Sequence, residues 1–334
     1  MKNPISVALI GAGGIGTTYA EVFKHVDSAI LTTVCDLDRE IGVPIAKQAG
    51  AVYTDDYRLI TDVEAVIVAT PPATHPEITM HFLRAGVAVL CEKPLAIDVA
   101  SAEAMVREAR RSQTLLTMAS KFRYVPDITA ARELLKAGAI GEIILYENTF
   151  ASHVDMSRRW NSLAAISGGG VLIDNGTHSL DIARYLLGPI DQVLAIEGKR
   201  VQSVEVEDTV SIFFTTPKGV NGTIDLSWSV SKERDSFIEI YGSDGTIKVG
   251  WKESAYRLTS LDEWVQFGTG YDKLEAMSAQ VNNFIGAVLG TEELLIEAED
   301  GIASVAVVEA AYASLNSPGW IPVAGGTDAD RVVA

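Results

Sequence analysis

Cysteine is almost absent: the chain has two, Cys35 and Cys91, in 334 residues. Each lies in an apolar run just before an acidic residue, so both read as small core thiols in a reducing cytoplasm rather than as a disulfide framework. No His, Cys, Asp or Glu spacing suggests a metal site. No apolar run reaches the length of a membrane span, and the N-terminus lacks the basic, apolar, small-residue order of a secretory signal, so a cytoplasmic protein without a membrane partner is expected. Positive charge is scarce too. Lys and Arg total 27 against 44 Asp and Glu, a formal net charge of −17, which argues against nucleic acid or an anionic lipid surface as a partner. Internal repeats and low-complexity linkers are also missing. What remains is an ordinary globular composition, 48% hydrophobic and 21% charged, long enough for two domains with full cores.

The first apolar run, Ile5 to Ile10, is a strand candidate followed at once by Gly11-Ala12-Gly13-Gly14-Ile15-Gly16 and a helical stretch to about His25. Glycines at 11, 13 and 16, with Gly14 and Ile15 opening the helix, fit the dinucleotide fingerprint of a tight turn, a close approach to diphosphate and close helix packing. The second strand, Ala29 to Cys35, ends in Asp36, which is 36 − 16 = 20 residues past the last fingerprint glycine. A carboxylate there accepts hydrogen bonds from a ribose and repels a 2′-phosphate, so NAD is expected over NADP, with Arg39 as a partial offset. Asp36 also reads as the cap of a helix from about Arg39 to Ala49.

Ala65 to Ala69 is a further strand, leaving Thr70-Pro71-Pro72 at its carboxyl end. Thr74 or His75 caps the next helix with Pro76 at its first position, and His75 is either that cap or a ring beside the cofactor. Val89-Leu90-Cys91-Glu92-Lys93-Pro94 places a carboxylate and an amine at the end of another buried strand, the rim where α/β sheets bind ligands. A bond preceding proline is the kind that is readily cis, and we predict a cis Lys93–Pro94 peptide. With a helix from Val99 to Arg111 and a strand from Leu115 to Ala119, strands and helices alternate over residues 1–120, which specifies a doubly wound parallel sheet.

After residue 120 the texture changes. Phe122-Arg123-Tyr124-Val125-Pro126 leads into a helix, Asp127 to Ala137, and a strand from Ile143 to about His153 follows. Past Gly168-Gly169-Gly170, a helix is predicted over 174–187. There Asp174, His178 and Asp181 share one face, so a carboxylate can orient the imidazole and stabilise its protonated form. Asp174 as an N-cap and His178 as a packed ring is the competing structural reading. Strands at about 193–198, 208–215, 220–229, 236–241 and 246–249 predict a large, mostly antiparallel sheet. Few helices are available to cover it, so an apolar open face is expected, with Phe213, Phe214, Trp228 and Trp251 as candidates for a contact with another subunit.

These motifs resemble, across nearly the whole chain, the glucose–fructose oxidoreductase / inositol dehydrogenase / rhizopine catabolism (Gfo/Idh/MocA) family. The matching stretches are Gly11–Gly16, Ala69-Thr70-Pro71-Pro72 with His75, Glu92-Lys93-Pro94, Phe122-Arg123-Tyr124 with Pro126, Gly168 to Asp181, Glu299-Asp300-Gly301, and Ala311-Tyr312-Ala313-Ser314. The resemblance implies a Rossmann domain over 1–120 and an α+β substrate and oligomerisation domain over 121–334. It also implies bound NAD(P) and hydride transfer on a sugar or polyol carbon, while the uncovered C-terminal sheet face predicts a homodimer or homotetramer formed sheet to sheet. Lys93, His178 and Asp174 are then the catalytic candidates. Gly11, Gly13, Gly14, Ile15, Gly16, Asp36, Thr70, Pro71, His75, Glu92 and Lys93 are the cofactor candidates. Arg123, Tyr124, His153 and Trp160 join Lys93, Asp174 and His178 toward the substrate, and Arg158 is a further polar candidate. Either Lys93 or His178 takes the hydroxyl proton. Two rivals stand beside a dehydrogenase: a ligand sensor that keeps the fold without turnover, and an NAD-dependent glycosidase.

Overall fold

The continuous apolar run Ala65–Val68 becomes a fully buried strand, because a parallel sheet covered on both faces has no polar side to fill. The computed structural model describes residues 4–261, 263–317 and 319–324. The chain divides into two compact units, one running through Lys121 and resuming over Lys273–Ile302, the other formed by Phe122–Asp272 and the chain from Ala303 onward.

The first unit contains β1 (Ile5–Ile10), α1 (Gly14–Val22), β2 (Ala29–Cys35), α2 (Arg39–Ala49), β3 (Val52–Thr54), β4 (Ala65–Val68), α3 (His75–Arg84), β5 (Ala88–Glu92), α4 (Val99–Ser112) and β6 (Leu116–Ala119). Its six strands lie parallel in the order β3-β2-β1-β4-β5-β6. The order reverses between β1 and β4, which leaves a crevice for ligands beyond the strands' carboxyl ends. Asp38 caps α2 by accepting the Glu40 N–H, and Asp98 caps α4 by accepting the Ser101 N–H. Asp36, read from sequence as a cap of the α2 helix, is thus left for other contacts.

The second unit contains α5 (Pro126–Lys136), β7 (Ile143–Ala151), α6 (Ala164–Ser167), α7 (Val171–Leu187), β8 (Gln192–Glu197), β9 (Thr209–Thr215), β10 (Asn221–Ser227), β11 (Ser236–Gly242), β12 (Gly245–Gly250), β13 (Ser254–Leu258) and β14 (Val265–Gly268). Then come α8 (Lys273–Val288), α9 (Ala298–Asn316) and β15 (Ile321–Pro322). The nine-stranded sheet runs β14-β13-β12-β11-β7-β10-β9-β8-β15, antiparallel except for the β7–β10 pair. α8 belongs to the first unit, where Met277, Val281, Phe284 and Ile285, one helical stripe, join Val7, Leu9, Tyr19 and Ile67 in the core.

Along β9 and β10 buried and exposed residues alternate, so one face packs and the other is open. Phe214 and Trp228 point inward and are buried, whereas Phe213 and Trp251 are exposed. The open face is not the apolar surface expected from sequence. Exposed Leu145, Ile196 and Phe213 are interleaved there with the Asp225–Lys232 and Glu147–Arg234 ion pairs.

Candidate active site

In the first unit the chain leaves β1 through Gly11, whose φ of +96° and 2.6 Å clearance from a Cβ to the Ala69 carbonyl oxygen exclude other residues. A Cβ on Gly16 would lie 2.1 Å from the Gly11 carbonyl oxygen, so this glycine lets α1 fold back onto its own entry loop. Around Gly13 and Gly14 the same test meets nothing within 4 Å, leaving an open cradle in front of the loop. Ile15 is half-buried and packs against the core. α1 has neither a side-chain cap nor an acidic residue in its first turn, so its N–H groups and the positive end of its dipole are available to an anion. Asp36 stands beside the loop at the end of β2. One of its oxygens accepts the Ala12 N–H at 2.7 Å and the other the Asp38 N–H at 2.8 Å, which fixes the carboxylate. These groups fit a dinucleotide: the cradle and helix end suit its diphosphate and Asp36 suits a ribose diol.

At the adjoining strand ends, Thr70 and Pro71 are half-buried and His75 is fully buried. The His75 ring sits between the loop after β4 and the loop after β5, with Nδ1 2.9 Å from the Pro94 carbonyl oxygen and Nε2 2.8 Å from that of Thr70, and its single N–H when neutral donates to one of the two. Burial pulls the His75 pKa below the usual value, against the opposing pull of the two carbonyls and Glu92. The Lys93–Pro94 peptide is cis, as predicted. Glu92 accepts the Lys93 backbone N–H at 3.2 Å on one oxygen and the Tyr19 hydroxyl at 2.6 Å on the other. Gln280 of α8 in turn donates to the Tyr19 oxygen at 3.0 Å. Tyr19 and Gln280 were not singled out from sequence. The available signal was a polar tip on an otherwise apolar stripe of α1 and of α8.

In the second unit α7 starts at Val171, three residues earlier than expected from sequence. Glu207, remote in sequence, supplies its cap: one carboxylate oxygen accepts the Gly170 and Leu172 N–H groups and the Tyr312 hydroxyl, at 2.9, 3.1 and 2.7 Å. Burial raises the Glu207 pKa, and these donors oppose the rise. Asp174 and His178 follow one turn apart on this helix, Asp174 half-buried and His178 buried. The His178 ring meets the Phe122 ring edge-on at 5.0 Å, and Phe122 stacks on Tyr271 at 5.1 Å.

Arg123 carries the largest surprise. Its guanidinium makes a two-point contact with Asp181, Nε to Oδ2 at 2.9 Å and Nη2 to Oδ1 at 2.6 Å, and Ser304 donates to the same carboxylate at 2.9 Å. Asp181, three residues after His178 on the same helix, pairs with this buried arginine. Tyr124 is half-buried, while His153, Arg158 and Trp160 sit exposed in the segment after β7. Gln202 braces that segment, accepting the Met156 N–H and donating to the Val154 carbonyl. Among the described residues, no group of three or more His, Cys, Asp or Glu is placed to hold a metal ion, and no helix is long and apolar enough to cross a membrane.

Residues 5–120 match the family described as "Oxidoreductase family, NAD-binding Rossmann fold", and residues 128–248 match "GFO/IDH/MocA C-terminal domain". The inositol 2-dehydrogenase of Rubrobacter xylanophilus is 30% identical over 328 residues, covering 94% of this chain and 91% of that protein. The D-apiose dehydrogenase of Paraburkholderia graminis is 28% identical over 329 residues, 92% of this chain and 86% of that protein. Among solved structures, a levoglucosan dehydrogenase in complex with NADH and levoglucosan shares the fold with a TM-score of 0.89 at 22% identity, over 96% of this chain and all of that one.

Proposed function

We propose, because the chain belongs to the Gfo/Idh/MocA oxidoreductase family and carries its NAD-binding domain, that it is a dehydrogenase interconverting a secondary alcohol and a ketone on a cyclic polyol or sugar. The observation that carries this reading is the NAD cradle at Gly11–Gly16 and Asp36 in the same unit as an amine, Lys93, at the neighbouring strand-end rim. Relatives named for inositol, apiose and levoglucosan support the substrate class. NAD bound in the cradle would accept or return the hydride.

Loss of a hydride from a carbinol carbon requires that the hydroxyl proton leave as well. His178 takes that proton, since imidazole is the side chain whose ordinary titration lies nearest neutral pH. Asp174, one turn earlier on α7, steadies the imidazolium that results. Lys93 hydrogen-bonds the reacting oxygen and stabilises its developing negative charge. Tyr124, His153 and Trp160 supply further polar and stacking contacts to a hydroxylated ring.

The test is a panel of inositols, aldoses, apiose and anhydrosugars with NAD or NADP, read by nicotinamide absorbance. Reduction of NAD by at least one cyclic polyol or sugar is expected. Tight NAD binding with no turnover across the panel would favour a sensor. We also assign the open face of the nine-stranded sheet, where exposed Leu145, Ile196 and Phe213 are interleaved with ion pairs, to a second copy of this chain. Light scattering at micromolar concentration should give a dimer or tetramer, and a monomer would overturn that assignment.

A further inference from the structure

An enclosed polar chain in the first unit runs through a residue with no assigned role, Tyr19. Its side chain is fully buried (0% exposed) on α1, three residues past Gly16. A phenylalanine would fill such a core position without a polar atom to satisfy. The hydroxyl is held on both sides: it accepts from Gln280 Nε2 at 3.0 Å and donates to Glu92 Oε1 at 2.6 Å. To keep its amide N–H on Tyr19, Gln280 leaves its own buried carbonyl oxygen without a hydrogen-bond partner among the described residues. An unmet buried acceptor costs stability, so the arrangement is not what packing alone would select.

The second oxygen of Glu92 accepts the backbone N–H of Lys93 at 3.2 Å. Turning that carboxylate therefore disturbs the peptide plane from which the Lys93 side chain departs. On the far side, His75 Nδ1 lies 2.9 Å from the Pro94 carbonyl oxygen. The backbone of Lys93 is thus gripped before and after, and the first grip is anchored by a phenol on the helix whose N-terminus faces the cradle. We propose that Tyr19 is a positioning residue for the reaction, acting through Glu92 to fix the Lys93 backbone and so the aim of its amine. Burial and the neighbouring Glu92 charge hold the Tyr19 pKa well above its usual value, so the phenol stays a donor throughout the working range. The inference rests on the reading of Lys93 as the residue that touches the reacting oxygen.

A double-mutant cycle separates the two claims. With the polyol or sugar that the panel identifies, Tyr19→Phe is expected to lower kcat roughly 10- to 100-fold, the scale of a misplaced catalytic group, while the Kd for NAD changes less than about threefold. In a Lys93→Ala background the same substitution is expected to change kcat less than about twofold, because the group it positions is gone. If the two losses multiply, Tyr19 does not act through Lys93 and the inference falls while the reading of Lys93 stands. If Lys93→Ala keeps near-normal turnover, the reading fails and takes the inference with it. Should Tyr19→Phe not fold, Glu92→Gln replaces it in the cycle with the same expectation. A second readout needs no substrate: in protein whose lysines carry ¹³C-methyl groups, the Lys93 resonance, identified as the one lost in Lys93→Arg, should shift in Tyr19→Phe. An unchanged resonance would overturn the proposal.

Discussion

Removing the Arg123 guanidinium should unfold the second unit at a much lower temperature while leaving the NAD cradle intact. The pair it forms with Asp181 is enclosed on both sides, 5% and 0% exposed, with two parallel contacts and a hydroxyl from Ser304 on the same carboxylate. The cation also lies 5.2 Å over the Tyr185 ring. Taking one partner from a buried pair costs about 3–5 kcal/mol, because a desolvated charge loses its counter-charge. In a domain of about 150–250 residues each kcal/mol moves Tm by about 2–4 °C, so Arg123→Met should lower the transition by about 6–20 °C. Calorimetry on the NAD-free protein reads this directly. The double variant Arg123→Met/Asp181→Leu should recover most of the loss, since a well-packed apolar pair often does as well as a buried ionic one. A Tm shift below about 2 °C for Arg123→Met, accompanied by a raised KM for the sugar, would refute the reasoning and return Arg123 to the substrate-binding role expected from sequence.

Asp36→Ser should narrow the preference for NAD over NADP, as seen in the ratio of their Kd values; an unchanged ratio would remove Asp36 from the ribose site. Gly13→Ala should fold normally, because nothing lies within 4 Å of its new methyl, yet bind NAD more weakly; Gly16→Ala, 2.1 Å from the Gly11 oxygen, should lose stability as well. Tm and NAD titration together distinguish the two. His75 gives a pH dependence. With its folded pKa lowered, the unfolded chain takes up the proton first as pH falls, so the stability from keeping this ring neutral is present above the ordinary histidine value, about 6.5, and is lost below it. Tm should therefore fall less between pH 7.5 and 5.5 in His75→Gln than in the parent, and equal slopes would contradict the assignment.

The parts of the site legible in the sequence were those encoded over a short stretch. The glycine turn, the strand-end position of Lys93, the bond before Pro94 and the one-turn spacing of Asp174 and His178 each follow from neighbours within a few residues. The first sheet was legible for the same reason: its strands alternate with helices and are mostly apolar, β4 entirely so. The three-residue β3 was not read as a strand, being too short to show a period. β13 and the edge strand β14 were missed because mixed, partly exposed strands carry little alternation. The start of α7 was misjudged because its cap is Glu207, not a residue beside it. The Arg123–Asp181 pair was not foreseen because its partners lie 58 positions apart. Tyr19, Glu92 and Gln280 meet only in three dimensions, the last 261 positions from the first.

Lys93 and His178 are proposed to act on the reacting oxygen and its proton rather than on the dinucleotide. The direct test is turnover of Lys93→Ala and His178→Ala on the identified polyol or sugar, measured beside their NAD affinity. A fall in kcat of about 100-fold or more is expected for each, with a flattened pH–rate profile for His178→Ala and NAD binding within about threefold of the parent. Near-normal kcat in both variants, or loss of NAD binding in step with loss of turnover, would contradict it.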